Sequence, residues 1–509
     1  MRNNRLATIT WIVFWGFGVS LAAQSTLPTS TPAVQASQAD LERRVDELAS
    51  AIDLAQKRLA ESQTEILALQ TEVHRLHLQM AHAGAGVPAE AGNLTTASAA
   101  TIEERQQALE NAIAVHDQIK VESDSKYPVR VTGLVLFNGF LNRGVPNNTD
   151  LPEVAQHQTA TTGNGSVGGS FRQTVLGLEG DGPRVAGAHT SASVAFDFFS
   201  GLSYSPYGTS AGIVRMRTAS IDFDWPHDSL SAGMVSPIIS PLSPSSYATV
   251  AEPALSGAGN LWTWAPQLRY SHRMVLPRKD ELQLEFGLRD SAAAGYSSGQ
   301  FFRSASPGEL AKQPAYETRL SYRRPGDRGL QIGASGYYSR QSYPSFSGYS
   351  AKESLDSWAG AFDFRIPIVS RIEVSGEGYR GRALGGLGGG GYKDVVTGTS
   401  PVSGRSVLHG LNAIGGWGQL KARFSPAIES NLSIGLDDGF ARDFHAVTLP
   451  YGASATQLRA RNRMVIANTI FRPKTYIIVS PEYRRIWTWP IAGPANTVDI
   501  FTVAVGYQF

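Results

Sequence analysis

The chain has no cysteine, which excludes disulfide staples and thiolate metal sites. Beyond its first twenty-five residues it has no apolar run approaching the ~18 residues that a spanning helix needs. A helical membrane protein is therefore excluded. Charge is also scarce: Asp, Glu, Lys and Arg make up 17% of the chain, against roughly a quarter in soluble domains. No HExxH or GxSxG motif occurs, nor any supported pair of carboxylates. Gly163-x-Gly165-x-x-Gly168 matches the dinucleotide fingerprint only as a string, because it opens no helix. Gly385 to Gly391 reads as a flexible loop, since no Lys-Ser/Thr pair or helix follows. No enzymatic activity, cofactor, metal or nucleic-acid partner is expected.

What is present points elsewhere. The 509 residues include 52 glycines and 9% aromatics, with a mean hydropathy of −0.16. Such a composition suits a large β-barrel in which half of every strand is polar. Arg2 and Arg5, an apolar stretch from Ile9 to Leu21, and small residues at Ser20, Ala22 and Ala23 read as a signal peptide over 1–23. Residues 24–38, rich in Ser, Thr, Pro, Ala and Gln, read as a linker.

An unbroken heptad occupies 39–82. Val45, Ile52, Leu59, Ile66, Val73 and Met80 fall at a, and Leu41, Leu48, Ala55, Ser62, Leu69 and Leu76 at d. A stripe of period 3.5 predicts a coiled coil about 60 Å long, and hence an oligomer. β-Branched a residues lean to dimers, whereas Ala55 and Ser62 leave several states open. His74, His77 and His82 fall at different heptad positions and read as solvated surface. A linker with a short helix around Ile102–Ile119 completes 83–126.

From residue 127 to 509 the period becomes two. Sixteen strands are expected, near 129–142, 170–181, 187–199, 213–225, 229–236, 264–275, 281–291, 314–324, 329–341, 355–367, 371–384, 409–424, 428–440, 459–472, 475–489 and 497–509. Short turns such as Gly182-Pro183, Pro277–Asp280 and Pro473-Lys474 alternate with long loops, the asymmetry of outer-membrane barrels. An even count puts both chain ends, and the arm, on the periplasmic side. In the last strand Phe501, Val503, Val505, Tyr507 and Phe509 alternate with Thr502, Ala504, Gly506 and Gln508. Trp225, Tyr322, Phe424, Phe471, Tyr476 and Phe509 form one expected aromatic belt. Trp264, Tyr337, Trp358, Trp417, Phe440, Trp487 and Trp489 form the other.

If apolar residues face lipid, Arg269, Arg273, Arg289, Arg319 and Arg323 line the channel, with Glu285 and Glu317 among them. Arg459, Arg461 and Arg463 read as a guanidinium ladder on one face, although Asn462 and Asn468 spoil the apolar face opposite. Arg365, Lys421 and Arg423 also fall on polar faces. Residues 127–509 carry 35 Lys and Arg against 28 Asp and Glu. A positive excess along a narrow aqueous path favours small anions. The loop 237–263 contains Pro237, Pro241, Pro244 and Pro253, and Glu252 is its only charge. Such a segment is expected to fold into the channel as a constriction, with packing against a neighbouring subunit as the alternative.

A signal peptide and heptad arm precede a barrel that opens V-R-V-T-G-L-V-L-F-N-G-F at 129–140 and ends at Phe509. Together with G-N-L-W-T-W-A-P-Q-L-R at 259–269, this layout resembles the DcaP-like porins. The resemblance implies sixteen strands, a homotrimer in the outer membrane with a periplasmic arm, and passive uptake of small anionic organic solutes. A structural anchor tethered by its coiled coil is the competing expectation, which a lumen plugged by the 237–263 loop or by the N-terminal segment would favour.

Overall fold

The computed structural model describes residues 128–202, 212–291, 293, 304–324, 329–343, 353–449, 453 and 458–509. The signal peptide, linkers and coiled coil expected over 1–126 lie outside these residues. Nineteen strands follow in order. The first ten are β1 (Val129–Arg143), β2 (Gly165–Ser170), β3 (Val175–Asp181), β4 (His189–Asp197), β5 (Arg215–Asp224), β6 (Asp228–Val235), β7 (Ala265–Val275), β8 (Glu281–Arg289), β9 (Ala315–Arg323) and β10 (Gln331–Tyr343). The rest are β11 (Glu353–Val369), β12 (Ile372–Arg382), β13 (Val395–Thr399), β14 (Ser406–Gly410), β15 (Asn412–Ser425), β16 (Ile428–Gly439), β17 (Arg459–Lys474), β18 (Ile477–Pro490) and β19 (Asn496–Gln508).

All but β13 and β14 belong to one antiparallel sheet. β1 pairs with β19, from Leu134 opposite Gln508 to Arg143 opposite Asp499, so the sheet closes on itself. β2 and β3 share a single place in the ring, because β2 pairs with one half of β1 and β3 with the other. The wall therefore has sixteen staves, as the alternation of turns and loops requires.

The interrupted stave has a local cause. Thr174 turns back on Phe171, and its hydroxyl accepts from the Leu136 amide at 3.1 Å in place of a ladder carbonyl. The break frees the Gln173 side chain to point inward. The other departure from expectation is the β13–β14 hairpin inside the Gly-rich connection 383–411, which is folded rather than slack. Gly388, Gly390 and Gly391 take positive φ there, and Gly390 and Gly391 donate to the Asp437 carboxylate.

Side chains alternate across the wall. Phe137, Leu268, Phe286, Leu320, Phe362, Leu432 and Val503 are exposed on the outer face. Their sequence neighbours Asn138, Gln267, Glu285, Arg319, Asp363, Asn431 and Thr502 are buried on the inner face. A barrel with an apolar belt outside and polar groups within is the arrangement a bilayer stabilises.

Of the expected aromatic belts, Tyr476, Tyr507 and Phe509 form one stack beside the short turns, with ring centres 5.5 and 6.5 Å apart. Tyr483 and Phe501 pair toward the long-loop end at 5.2 Å. Tyr337 and Trp417, assigned to the long-loop belt from sequence, point inward instead and are buried.

The seam is fastened at the chain end. Phe509 exchanges backbone hydrogen bonds with Gly133 at 2.9 and 3.0 Å. Its ring covers Gly133 so closely that a Cβ there would meet it at 2.6 Å. Deleting Phe509 should remove these two closing bonds and lower the folded, heat-modifiable fraction in the outer membrane several-fold. An unchanged folded band on unheated gels would reduce Phe509 to a belt residue.

Candidate functional site: the barrel lumen

The inward arginines divide into paired and open groups. Arg319 donates to Asp363 at 2.8 and 2.9 Å and to Glu285 at 2.7 Å. Arg289 meets Glu317 at 3.4 Å and the Thr263 carbonyl and hydroxyl at 2.7 and 2.9 Å. Arg269 donates to the Ser236 carbonyl at 2.7 Å and lies 4.0 Å from Glu285. These charges are neutralised by neighbours, as buried ion pairs must be. Arg459 is turned into the lumen and bonds the Gly391 carbonyl.

Arg273 and Arg323 belong to a different environment. With Arg324, Arg365, Lys421 and Arg423 they surround a polar cavity of about 430 Å³ at the short-turn end, against Glu281 and Glu373. Six cations face two acids, an excess of four. Asp280 and Glu429, which pair with Arg324 and with Lys421 and Arg423 from outside the lining, bring the excess to two. A residual positive charge thus lies at the short-turn end of the lumen.

Arg461 and Arg463 correct the expected ladder, because they lie on the outer face. Arg463 is the cross-strand partner of exposed Leu436, and Arg461 that of Asp438. A register shift between Arg459 and Arg461 sends Arg459 inward and the next two outward. The inner face of β17 carries Asn462, Met464, Ile466, Asn468 and Ile470, all buried. Apolar residues can occupy an inward face here because a loop, rather than water, covers them.

That loop is 236–264, which lies across the lumen. The Leu242 amide and the Ser240 hydroxyl donate to Glu377 of β12, the former at 2.6 Å. The Ser245 amide reaches Gln419 of β15 at 2.6 Å, and Ser246 reaches Glu482 of β18 at 2.5 Å. Asn468 of β17 donates to the Ser245 carbonyl at 2.8 Å. Gln173, freed by the broken stave, accepts from Val250 at 2.7 Å and donates to Ala248 at 3.0 Å. Leu242, Ala254, Leu255 and Ala258 pack on Trp417, Met464, Ile466 and Ile486. Pro237, Pro241, Pro244 and Pro253 keep the segment out of the ladder. Gly259, at φ 103°, sits so near the wall that a Cβ would lie 2.2 Å from the Gly416 carbonyl oxygen.

Glu252 lies in the same loop beside Glu153 of the 144–164 loop. Desolvation, followed by the charge and hydrogen bond of Glu153, raises its pKa well above the ordinary glutamate value. The folded state therefore favours the protonated acid. Stability contributed by that proton is full below the unfolded value near ~4.3 and is lost as pH rises through the folded one. The denaturation midpoint in detergent should fall as pH is raised through that window, and Glu252→Gln should flatten the slope. A slope unchanged in Glu252→Gln would remove the pair from this role.

Arg484 escaped the sequence reading. It faces inward on β18, donating to Glu482 at 2.7 Å and to the Pro152 carbonyl at 2.9 Å. Alternation with outward Arg485 and Tyr483 was the available signal.

No family model matches the chain, and no curated protein matches it. Among solved structures, the outer-membrane channel DcaP of Acinetobacter baumannii aligns with 76% of this chain and 99% of its own, at 14% identity and a TM-score of 0.58. An anion-selective porin from Comamonas acidovorans aligns over 75% of this chain and 100% of its own, at 10% identity and a TM-score of 0.45. The described residues form a sixteen-stave barrel similar in fold to that of the outer-membrane channel DcaP.

Proposed function

We propose that this protein is an outer-membrane porin, a passive channel for small hydrophilic solutes that favours anions such as organic acids. The supporting observation is the cavity bounded by Arg273, Arg323, Arg324, Arg365, Lys421 and Arg423, whose cations outnumber the nearby carboxylates. Arginine forks there match carboxylate geometry, and the field of the excess charge raises local anion concentration. Arg269, Arg289 and Arg319 act differently: tied to acids, they form a polar wall along which a solute passes without being trapped. Loop 236–264, with Pro237, Pro241, Pro244, Glu252 and Pro253, serves as the constriction. On this reading the chain works as a homotrimer with its coiled-coil arm in the periplasm.

The bonds that carry loop 236–264 across the lumen favour a second reading, a structural anchor with a filled barrel. Planar-bilayer recording of the full-length protein separates the two. Stepwise conductance with a reversal potential on the anion side of a KCl gradient is expected. Absence of conductance from inserted, folded protein would establish the anchor, and a cation-side potential would overturn anion preference.

A further inference from the structure

The misplaced ladder residues form a cluster of their own on the outer wall. Arg463 lies opposite Trp487, Arg461 opposite Trp489, and Arg485 opposite Asp499, which in turn lies opposite Arg143. β17, β18, β19 and β1 are consecutive staves, so the four guanidinium groups share one face of a continuous strip. Arg461 is held by Asp438 at 2.7 Å and Arg485 by Asp499 at 3.5 Å. Arg463 and Arg143 have no carboxylate partner among the described residues and lie over the rings of Trp487 and Phe501, at 5.3 and 5.5 Å. Four cations against two acids leave an excess of two.

Height decides what meets this strip. Asp499 and its row stand ten residues above Phe509 along β19. At ~3.3 Å per residue and a tilt near 40°, that is about 25 Å, where the apolar band of such barrels ends. Arginine on the lipid face costs several kcal/mol at mid-membrane and close to nothing at the interface. Guanidinium groups laid over tryptophan faces suit the head-group level, with apolar stems below and charge above. Below the strip the wall is apolar, with Phe501, Val503 and Val505 exposed.

We infer that Arg143, Arg463 and Arg485, supported by Arg461, form a binding site for the phosphate groups of an outer-leaflet glycolipid, whose acyl chains lie on the apolar wall beneath. The inference rests on the outer-membrane reading but not on conduction or its selectivity. Charge complementarity selects this occupant: the strip offers forked donors with no acid to satisfy two of them, at the depth where lipid phosphates lie.

The test is binding of bisphosphorylated lipid A, and of the same glycolipid without phosphates, to full-length protein in detergent by native mass spectrometry. Wild type should prefer the phosphorylated form at least tenfold, and Arg143→Gln/Arg463→Gln/Arg485→Gln should lose that preference. The triple lysine variant should keep most of it, and single Arg463→Gln should lose part, which covers a triple glutamine variant that does not fold. Equal affinity of folded glutamine variants and wild type would overturn the site. So would a change of oligomeric state with lipid affinity intact, which would make the strip a contact between copies. Unaltered conductance in a variant that has lost lipid would show that the channel reading stands separately.

Discussion

The variant Arg273→Gln/Arg323→Gln/Arg365→Gln should lose most of its anion preference. It removes three of the six cations around the short-turn cavity and leaves Glu281 and Glu373 in place. A unit charge ~8 Å from a passing anion contributes about 0.5 kcal/mol in a water-like dielectric, and three contribute about 1.5 kcal/mol. Before screening that is about tenfold in permeability ratio. At 0.1 M salt, with a Debye length of ~10 Å, a three- to fivefold fall remains. Reversal potentials in a KCl gradient measure it, and the shift should grow as salt is lowered. By contrast Arg461→Gln/Arg463→Gln, on the outer wall, should leave the potential where it was. A shift produced by the outer pair but not by the cavity triple would remove the cavity from the ion path.

The second large effect concerns loop 236–264. Val235 and Ala265 are already cross-strand partners, so a tight two-residue Asn-Gly turn can replace the segment between them without moving the staves. Single-channel conductance should rise several-fold, because the bonds to Glu377, Gln419 and Glu482 that carry chain across the lumen disappear. Stability should fall as well, since Met464, Ile466 and Ile486 lose their apolar cover. Burying one such side chain is worth ~1.5–3 kcal/mol. Gly259→Ala is the milder companion. Its positive φ and the nearby Gly416 carbonyl together cost on the order of 1–3 kcal/mol and should partly unseat the loop. Unchanged conductance in the loop replacement would place the limiting constriction elsewhere.

Sequence periodicity was a good guide wherever the inner face meets water or ion pairs. In β7, β8 and β9, alternation separates Leu and Tyr from Gln, Glu and Arg, and Arg269, Arg289 and Arg319 face inward as parity requires. In β17 the same rule fails. Period two says that the two faces differ but not which one meets lipid. Met464, Ile466 and Ile470 look like a lipid face until another segment of the chain is known to cover them. Tyr337 and Trp417 mislead for the same reason. Asn462 and Asn468 were the local sign that the apolar-out rule was breaking down, and both bond to loop carbonyls, at Gly257 and Ser245. The break at 171–174 was invisible because its reason, Gln173 holding 248–251, is a contact across 75 or more residues.

The loop that crosses the barrel also acts as a brace. Ser246 is tied to Glu482, 236 residues later in the chain, and Val250 to Gln173, 77 residues earlier. A ring with such a chord resists being squashed into an ellipse, since any flattening must stretch bonds at both ends of the strut. The strut also needs β18 in the wall, because Ser246 finds its partner Glu482 there. Its seating therefore requires β12, β15, β18 and the turn before β3 to be in place together, and a barrel lacking any of them would have its doorway only partly barred.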